Sequence, residues 1–205
     1  MKILLVDDHS IVRAGLRRLL EALPQTAIAE AATGEAALRQ VRAERPDLVI
    51  LDLNLPDLGG VELLRKMRAY DESLRVLVLS MHAAPVYARR AMEAGARGYV
   101  SKNAPPDELL GAVRTVAEGG RYIENELAQA MALQESSPDG ALQRLTGRDL
   151  EIMRLLAAGR SLGEIAEALG VGYKTVANTC SLIKTKLGVS RTTDLVRLAI
   201  EGGLT

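Results

Sequence analysis

Lys2-Ile3-Leu4-Leu5-Val6-Asp7-Asp8-His9 opens the chain with four consecutive apolar residues halted by two adjacent carboxylates. The run is far shorter than the ~20 residues that a membrane span needs. Asp7 and Asp8 also cut it off before it could serve as the apolar region of a secretory leader. The same layout recurs along the chain at residues 27–31, 48–51, 76–79 and 98–100, short apolar runs separated by longer stretches with a helical period. Leu109, Ala112, Val113, Val116 and Ala117 fall at i, i+3, i+4, i+7 and i+8, and Val12, Leu16, Leu19, Leu20 and Leu23 do nearly so. The alternation predicts an α/β domain over residues 1–120, a five-stranded parallel sheet with helices on both faces. Such open sheets bind ligands beyond the carboxyl ends of their strands, so the residues that follow each run carry the functional reading.

Those residues form a set. Asp7 and Asp8 follow the first run and Asp52 the third; Ser80 ends the fourth and Lys102 follows the fifth. Three carboxylates brought together repel one another unless a cation joins them, and an all-oxygen site suits Mg²⁺. A carboxylate can attack phosphorus to give an aspartyl phosphate, with a metal ion and a lysine neutralising the equatorial oxygens. Any one of these acids taken alone reads equally well as a helix cap. His9 and His82 lack a second histidine or a cysteine at ligand spacing and read as loop residues.

Val6-Asp7-Asp8-His9, Leu51-Asp52-Leu53-Asn54-Leu55-Pro56, Leu79-Ser80 and Gly98-Tyr99-Val100-Ser101-Lys102 together resemble the receiver domain of two-component response regulators, across residues 1–120. The resemblance implies a flavodoxin-like fold in which Asp52 is the phosphoacceptor. It also implies that Asp7, Asp8, Asp52 and the backbone carbonyl of Asn54 hold Mg²⁺, that Ser80 and Lys102 contact the phosphoryl group, and that Tyr99 is the switch aromatic. In that picture Ser80 moves toward the phosphoryl group and Tyr99 turns inward behind it. One departure is visible: many receivers place proline directly after the lysine, whereas Asn103-Ala104 precede Pro105-Pro106 here.

Charge separates the chain into two parts. The formal net charge is zero, yet residues 1–140 carry 17 Lys and Arg against 20 Asp and Glu, a net −3, while residues 141–205 carry 9 against 6, a net +3. Between Val171 and Arg191 the charged residues are Lys174, Lys184, Lys186 and Arg191, a basic stretch able to meet phosphates. With neither Phe nor Trp, recognition by stacking bases on aromatic platforms has little to work with, which disfavours single strands and RNA. The one cysteine, Cys180, cannot form an intrachain disulfide, in keeping with a reducing cytoplasm.

Gly119-Gly120 closes a helix, a short helix is expected around 127–133, and residues 135–140 have linker composition. The expected division is a linker over 121–141 and a small all-α domain over 142–205. Its helix starts read as Thr146 with Asp149 (a weaker capping box), Ser161 with Glu164 (a full one), Gly172 and Ser190. From Gly172 to Leu187, Val176, Cys180, Ile183 and Leu187 share one helical stripe, so Cys180 reads as core filler. Opposite lie Lys174, Asn178, Ser181 and Thr185, with Ala177 and Lys184 on a shoulder. Ile165, Ala166, Leu169 and Gly170 precede them in helix-turn-helix order, which suits the major groove of double-stranded DNA. Asn178 can bond an adenine edge while Lys174, Lys184 and Lys186 neutralise phosphates. A helical bundle with one wet face fits the same pattern.

Leu145-Thr146-Gly147-Arg148-Asp149-Leu150-Glu151, Leu156-Ala157-Ala158-Gly159-Arg160-Ser161, Glu164-Ile165-Ala166, Thr175-Val176 and Lys186-Leu187-Gly188-Val189 resemble the LuxR-type DNA-binding domain. Joined to a receiver, this is similar to the NarL/FixJ layout. It implies a transcription regulator rather than an enzyme, with a sensor histidine kinase and DNA as partners and a homodimer when phosphorylated or DNA-bound. Lys174, Thr175, Ala177, Asn178, Ser181, Lys184 and Lys186 are the implied DNA-facing residues. The family usually has lysine at the position of Ala177, histidine at that of Thr179, and Asn-Lys at that of Leu162-Gly163. These departures leave open weak binding, an unusual site, or a module acting through protein contacts. A phosphohydrolase on a similar sheet would need an acid two residues after Asp52, where Asn54 stands.

Overall fold

A computed structural model describes residues 1–134, 142 and 145–204. The linker-like residues 135–140 therefore lie outside the described residues. The chain divides into two units, the first drawn from Met1–Ala83 and Tyr87–Gln129, the second chiefly from Ala130–Thr205.

In the first unit β1 (Lys2–Val6), β2 (Ala27–Ala31), β3 (Leu48–Leu51), β4 (Arg75–Ser80) and β5 (Gly98–Ser101) alternate with α1 (Ser10–Leu20), α2 (Gly34–Glu44), α3 (Gly60–Tyr70), α4 (Pro85–Glu93) and α5 (Pro106–Ala117). All five strands expected from the apolar runs are present. A sixth, β6 (Tyr122–Ile123), joins them, so the sheet has the order β2-β1-β3-β4-β5-β6 and is parallel throughout. The sheet therefore has six strands where the apolar runs predict five. Two residues are too few to show a period, and β6 depends on a partner the sequence cannot mark: Gly98 of β5 pairs with Tyr122. A Cβ at Gly98 would come within 2.7 Å of Leu77 Cδ1 and 3.2 Å of the Tyr122 carbonyl oxygen, so the bare backbone of Gly98 admits the added strand.

Alternation along each strand sends side chains to opposite faces. Ile3, Leu5, Leu48, Ile50, Leu77, Leu79 and Val100 meet Leu20 of α1 and Leu109, Ala112, Val113 and Val116 of α5 in one buried cluster. α2 packs on β1 and β2 and against α3, whose Leu63, Leu64 and Met67 are fully buried. Every β3 residue is buried, as a strand covered on both faces must be. The turn from β3 into α3 folds back tightly. Gly60 N donates to the Leu53 carbonyl at 3.0 Å, and a Cβ on Gly60 would lie 2.3 Å from Leu53 Cα.

The short helix expected around 127–133 is α6 (Asn125–Gln134). The second unit holds α7 (Gly147–Ala157), α8 (Leu162–Ala168), α9 (Tyr173–Leu187) and α10 (Thr192–Glu201), with α7 against α9 and α10 and α8 against α9. Capping fixes the starts. Thr146 Oγ1 accepts from Asp149 N at 3.1 Å while Thr146 N donates to Asp149 Oδ2 at 2.8 Å, so this capping box is as reciprocal as that of Ser161 and Glu164. The last helix is capped by Arg191 rather than Ser190, because Asp194 Oδ2 accepts from Arg191 N at 3.2 Å and sets the start one residue later. Buried Val176, Cys180 and Ile183 carry the predicted core stripe of α9, and Leu187 is half-buried at its end.

The Gly60 contact yields a stability prediction. Gly60→Ala forces a methyl into the Leu53 backbone and should lower unfolding free energy by about 1–3 kcal/mol, the usual cost of overpacking. Urea midpoints measure it, and an unchanged midpoint would show that the turn can open without cost.

Candidate functional site

The register of the parallel sheet brings the acids together. Val6 pairs with Leu51, so Asp7 and Asp52 leave adjacent strands side by side. Both are almost fully buried, while Asp8 is exposed. Lys102 follows β5 on the far side of β4, and its long arm reaches back across the sheet edge. Its Nζ donates to Asp7 Oδ2 at 2.6 Å and to Asp52 Oδ2 at 2.7 Å. Burial pushes the Asp52 carboxyl above the usual carboxylate range, although the Lys102 ammonium opposes this. For Lys102 burial works against the charge, but the hydrogen bonds to Asp52 and Asp7 prevail and hold the ammonium above its ordinary value.

His9, expected as an ordinary loop residue, lies in the loop after β1 and also belongs to this cluster. Its backbone N–H donates to Asp7 Oδ1 at 2.8 Å, and its Nδ1 lies 2.7 Å from Asp8 Oδ1. Ligand-capable atoms of Asp7, Asp8, His9 and Asp52 all fall within 4.8 Å of one another. Arg13 steadies the loop from behind, with Nη1 donating to the Asp7 carbonyl at 2.6 Å and Nε to Glu30 at 3.2 Å. Three carboxylates against one ammonium leave the pocket negative, and its carboxylate donors are the hard oxygens that a small divalent cation takes. The donor set therefore fits Mg²⁺.

Asn54 sits in the same loop, its N–H donating to Asp52 Oδ1 at 3.2 Å. Ser80 is fully buried at the end of β4 and accepts from His82 N at 3.2 Å. Tyr99 is already inside. It is fully buried, with its hydroxyl donating to the His82 carbonyl at 2.5 Å, so the ring occupies the inward position in this structure. The hydroxyl is satisfied there, so enclosing the ring strands no polar group. Burial also raises the Tyr99 hydroxyl pKa and keeps it protonated. His82 stands at the crossing of these contacts. It receives Tyr99 on its carbonyl, lies 3.2 Å from the Asn54 amide through Nε2, and stacks on Tyr87 with ring centroids 4.4 Å apart. The signal for both histidines lay in position rather than spacing: His9 follows the paired acids and His82 stands two residues past Ser80.

In the second unit, Lys174, Thr175, Asn178 and Ser181 are exposed on α9, while Ala177 and Lys184 are half-buried on its shoulder. Lys186 has another engagement. Its Nζ lies 2.5 Å from Oδ2 of Asp149, whose side chain is 5% exposed, so this cation ties α9 to the capping box of α7. Cys180 is buried and its thiol pKa is raised by burial, in keeping with a core role.

Comparison with known proteins agrees with both halves. Residues 3–114 match the response regulator receiver domain, and residues 143–199 match the bacterial regulatory proteins of the luxR family. The chain is 45% identical over its whole length to the transcriptional activator protein ExaE of Pseudomonas putida, covering 98% of that protein. It is 37% identical to the transcriptional regulatory protein UhpA of Escherichia coli K12, over 97% of each chain. Among solved structures, a LuxR-family two-component response regulator from Aurantimonas is 44% identical with a TM-score of 0.63, over 65% of this chain and 96% of that one. The chain belongs to the two-component response regulators, those that join a receiver domain to a LuxR-type DNA-binding domain.

Proposed function

We propose that Asp52 is the residue phosphorylated in this regulator. The observation that carries the reading is a buried carboxylate held 2.7 Å from the Lys102 ammonium, beside Asp7 and within reach of Asp8. An Asp52 oxygen attacks the phosphorus of a phosphohistidine on the partner kinase; the P–O bond forms, the P–N bond breaks, and the histidine leaves. Lys102 already faces Asp52 and neutralises the incoming charge, and Ser80 offers its hydroxyl on the neighbouring strand end. Asp7, Asp8, Asp52 and the Asn54 carbonyl would hold Mg²⁺, which when bound withdraws negative charge from the phosphoryl oxygens. Since Tyr99 is buried beforehand, the added charge acts mainly on the Lys102 and Ser80 contacts, and the surface of α4 and β5 changes with them.

The output is dimeric binding to double-stranded DNA through α9, with Lys174 and Lys184 on phosphates and Thr175, Ala177, Asn178 and Ser181 toward the bases. Two modules on paired half-sites gain effective concentration, so modest single contacts suffice. We place the protein in the cytoplasm; none of its helices, among the described residues, is long and apolar enough to cross a membrane. A second reading, a module acting through protein contacts, is favoured by the engagement of Lys186 with Asp149 together with Ala177 and Thr179 in place of the usual basic residues. The hydrolase reading is disfavoured by Asn54, which offers no acid beside the nucleophile.

Three outcomes are expected. Asp52→Ala should abolish labelling by acetyl phosphate; labelling equal to the unaltered protein would remove Asp52 as acceptor. Lys102→Met frees two carboxylates of their resident cation, so Mg²⁺ affinity measured by calorimetry should rise about tenfold while phosphorylation slows; weaker Mg²⁺ binding would show that Lys102 organises the acids rather than competing for them. Binding to genomic DNA fragments should weaken with salt along a clear log–log slope, each phosphate contact adding about 0.9 to it. A slope near zero would support the protein-contact reading.

A further inference from the structure

The recognition face of α9 carries a feature that the proposed DNA contacts do not use. Leu182 is 60% exposed on the helix, one turn beyond Asn178 on the same side. A lone exposed leucine is common, and what sets Leu182 apart is its position. The hydroxyls around it are already committed: Thr179 donates to the Thr175 carbonyl at 2.9 Å, Ser181 to Ala177 at 3.1 Å and Thr185 to Ser181 at 3.1 Å. Each keeps only acceptor capacity toward a base. No arginine occurs in Tyr173–Leu187, so the helix lacks the planar fork best suited to guanine; of its lysines, Lys186 is paired with Asp149, and Lys174 and Lys184 stand toward the two ends, away from the centre of the face. What remains at the centre of the face is one amide that both donates and accepts, Asn178, followed one turn later by an apolar surface.

We infer that the second module selects A·T pairs, Asn178 bonding an adenine edge and Leu182 packing on the 5-methyl group of a neighbouring thymine. This rests on the proposed reading that α9 enters the major groove. Asn to adenine N6 and N7, and an apolar side chain to the thymine methyl, are the pairings that groove chemistry allows for these two groups. Lys174 and Lys184 supply affinity without sequence information.

The test uses the full chain, treated with acetyl phosphate or left untreated, to select bound duplexes from a random-sequence library. The selected duplex is then remade with uracil for thymine, which removes only the 5-methyl group. Unaltered protein should recover half-sites with A·T pairs at their centre and lose about fourfold in affinity per half-site on the uracil duplex, the worth of one methyl-sized contact. Leu182→Ala keeps a strong helix former. It should bind the thymine duplex about fourfold more weakly and be indifferent to uracil. Half-sites centred on G·C, or a Leu182→Ala protein as sensitive to uracil as the unaltered one, would overturn the inference while leaving DNA binding intact. Failure to retain any duplex would instead overturn the DNA reading and the inference with it.

Discussion

The contact on which the first unit depends is the Lys102 ammonium set between the carboxylates of Asp7 and Asp52. Two acids this close and this buried repel one another, and the fold answers with a cation carried from the end of β5. The arrangement is costly to desolvate and is no efficient source of stability. Its value is electrostatic: a carboxylate kept from solvent with positive charge already beside it, which under the proposed reading is where a phosphoryl group would bring negative charge. A cluster that still holds more acid than base stays open to a divalent ion.

Much of this was legible in the residues. Apolar runs of three or four residues followed by Asp, Ser or Lys marked four of the five expected strands and the sheet edge at which the acids and Lys102 gather, because strand ends in a parallel sheet converge whatever helices lie between. Less legible were features decided by a single partner. β6 exists because Gly98 has no side chain; α10 starts at Arg191 because Asp194 reaches its N–H. The motif makes Tyr99 the expected switch aromatic, but it does not show the inward position of the ring, whose hydroxyl is satisfied by the carbonyl of His82. Metal-ligand spacing does not single out His9 or His82, whereas their contacts come from the loops they share with Asp8 and Ser80.

In the second unit the sequence separated core from surface correctly along α9, since 3.6-residue periodicity sorts faces without tertiary information. It could not show that Lys186 belongs to Asp149, because pairing across 37 residues has no local signature. That pairing converts one expected phosphate contact into a brace between α9 and α7. The face that remains is small, sparsely charged and centred on Asn178; under the proposed reading, discrimination among sites would depend more on groove-edge chemistry and less on bulk charge.

The central claim, that the carboxylate held by Lys102 accepts phosphorus, is tested most directly by mapping the acyl phosphate itself. Borohydride reduction of donor-treated protein converts a phosphorylated aspartate to homoserine, and peptide mass spectrometry locates the change. The account predicts homoserine at position 52 and at no other acid; modification at position 7 or 8 instead, or none at all, would contradict it.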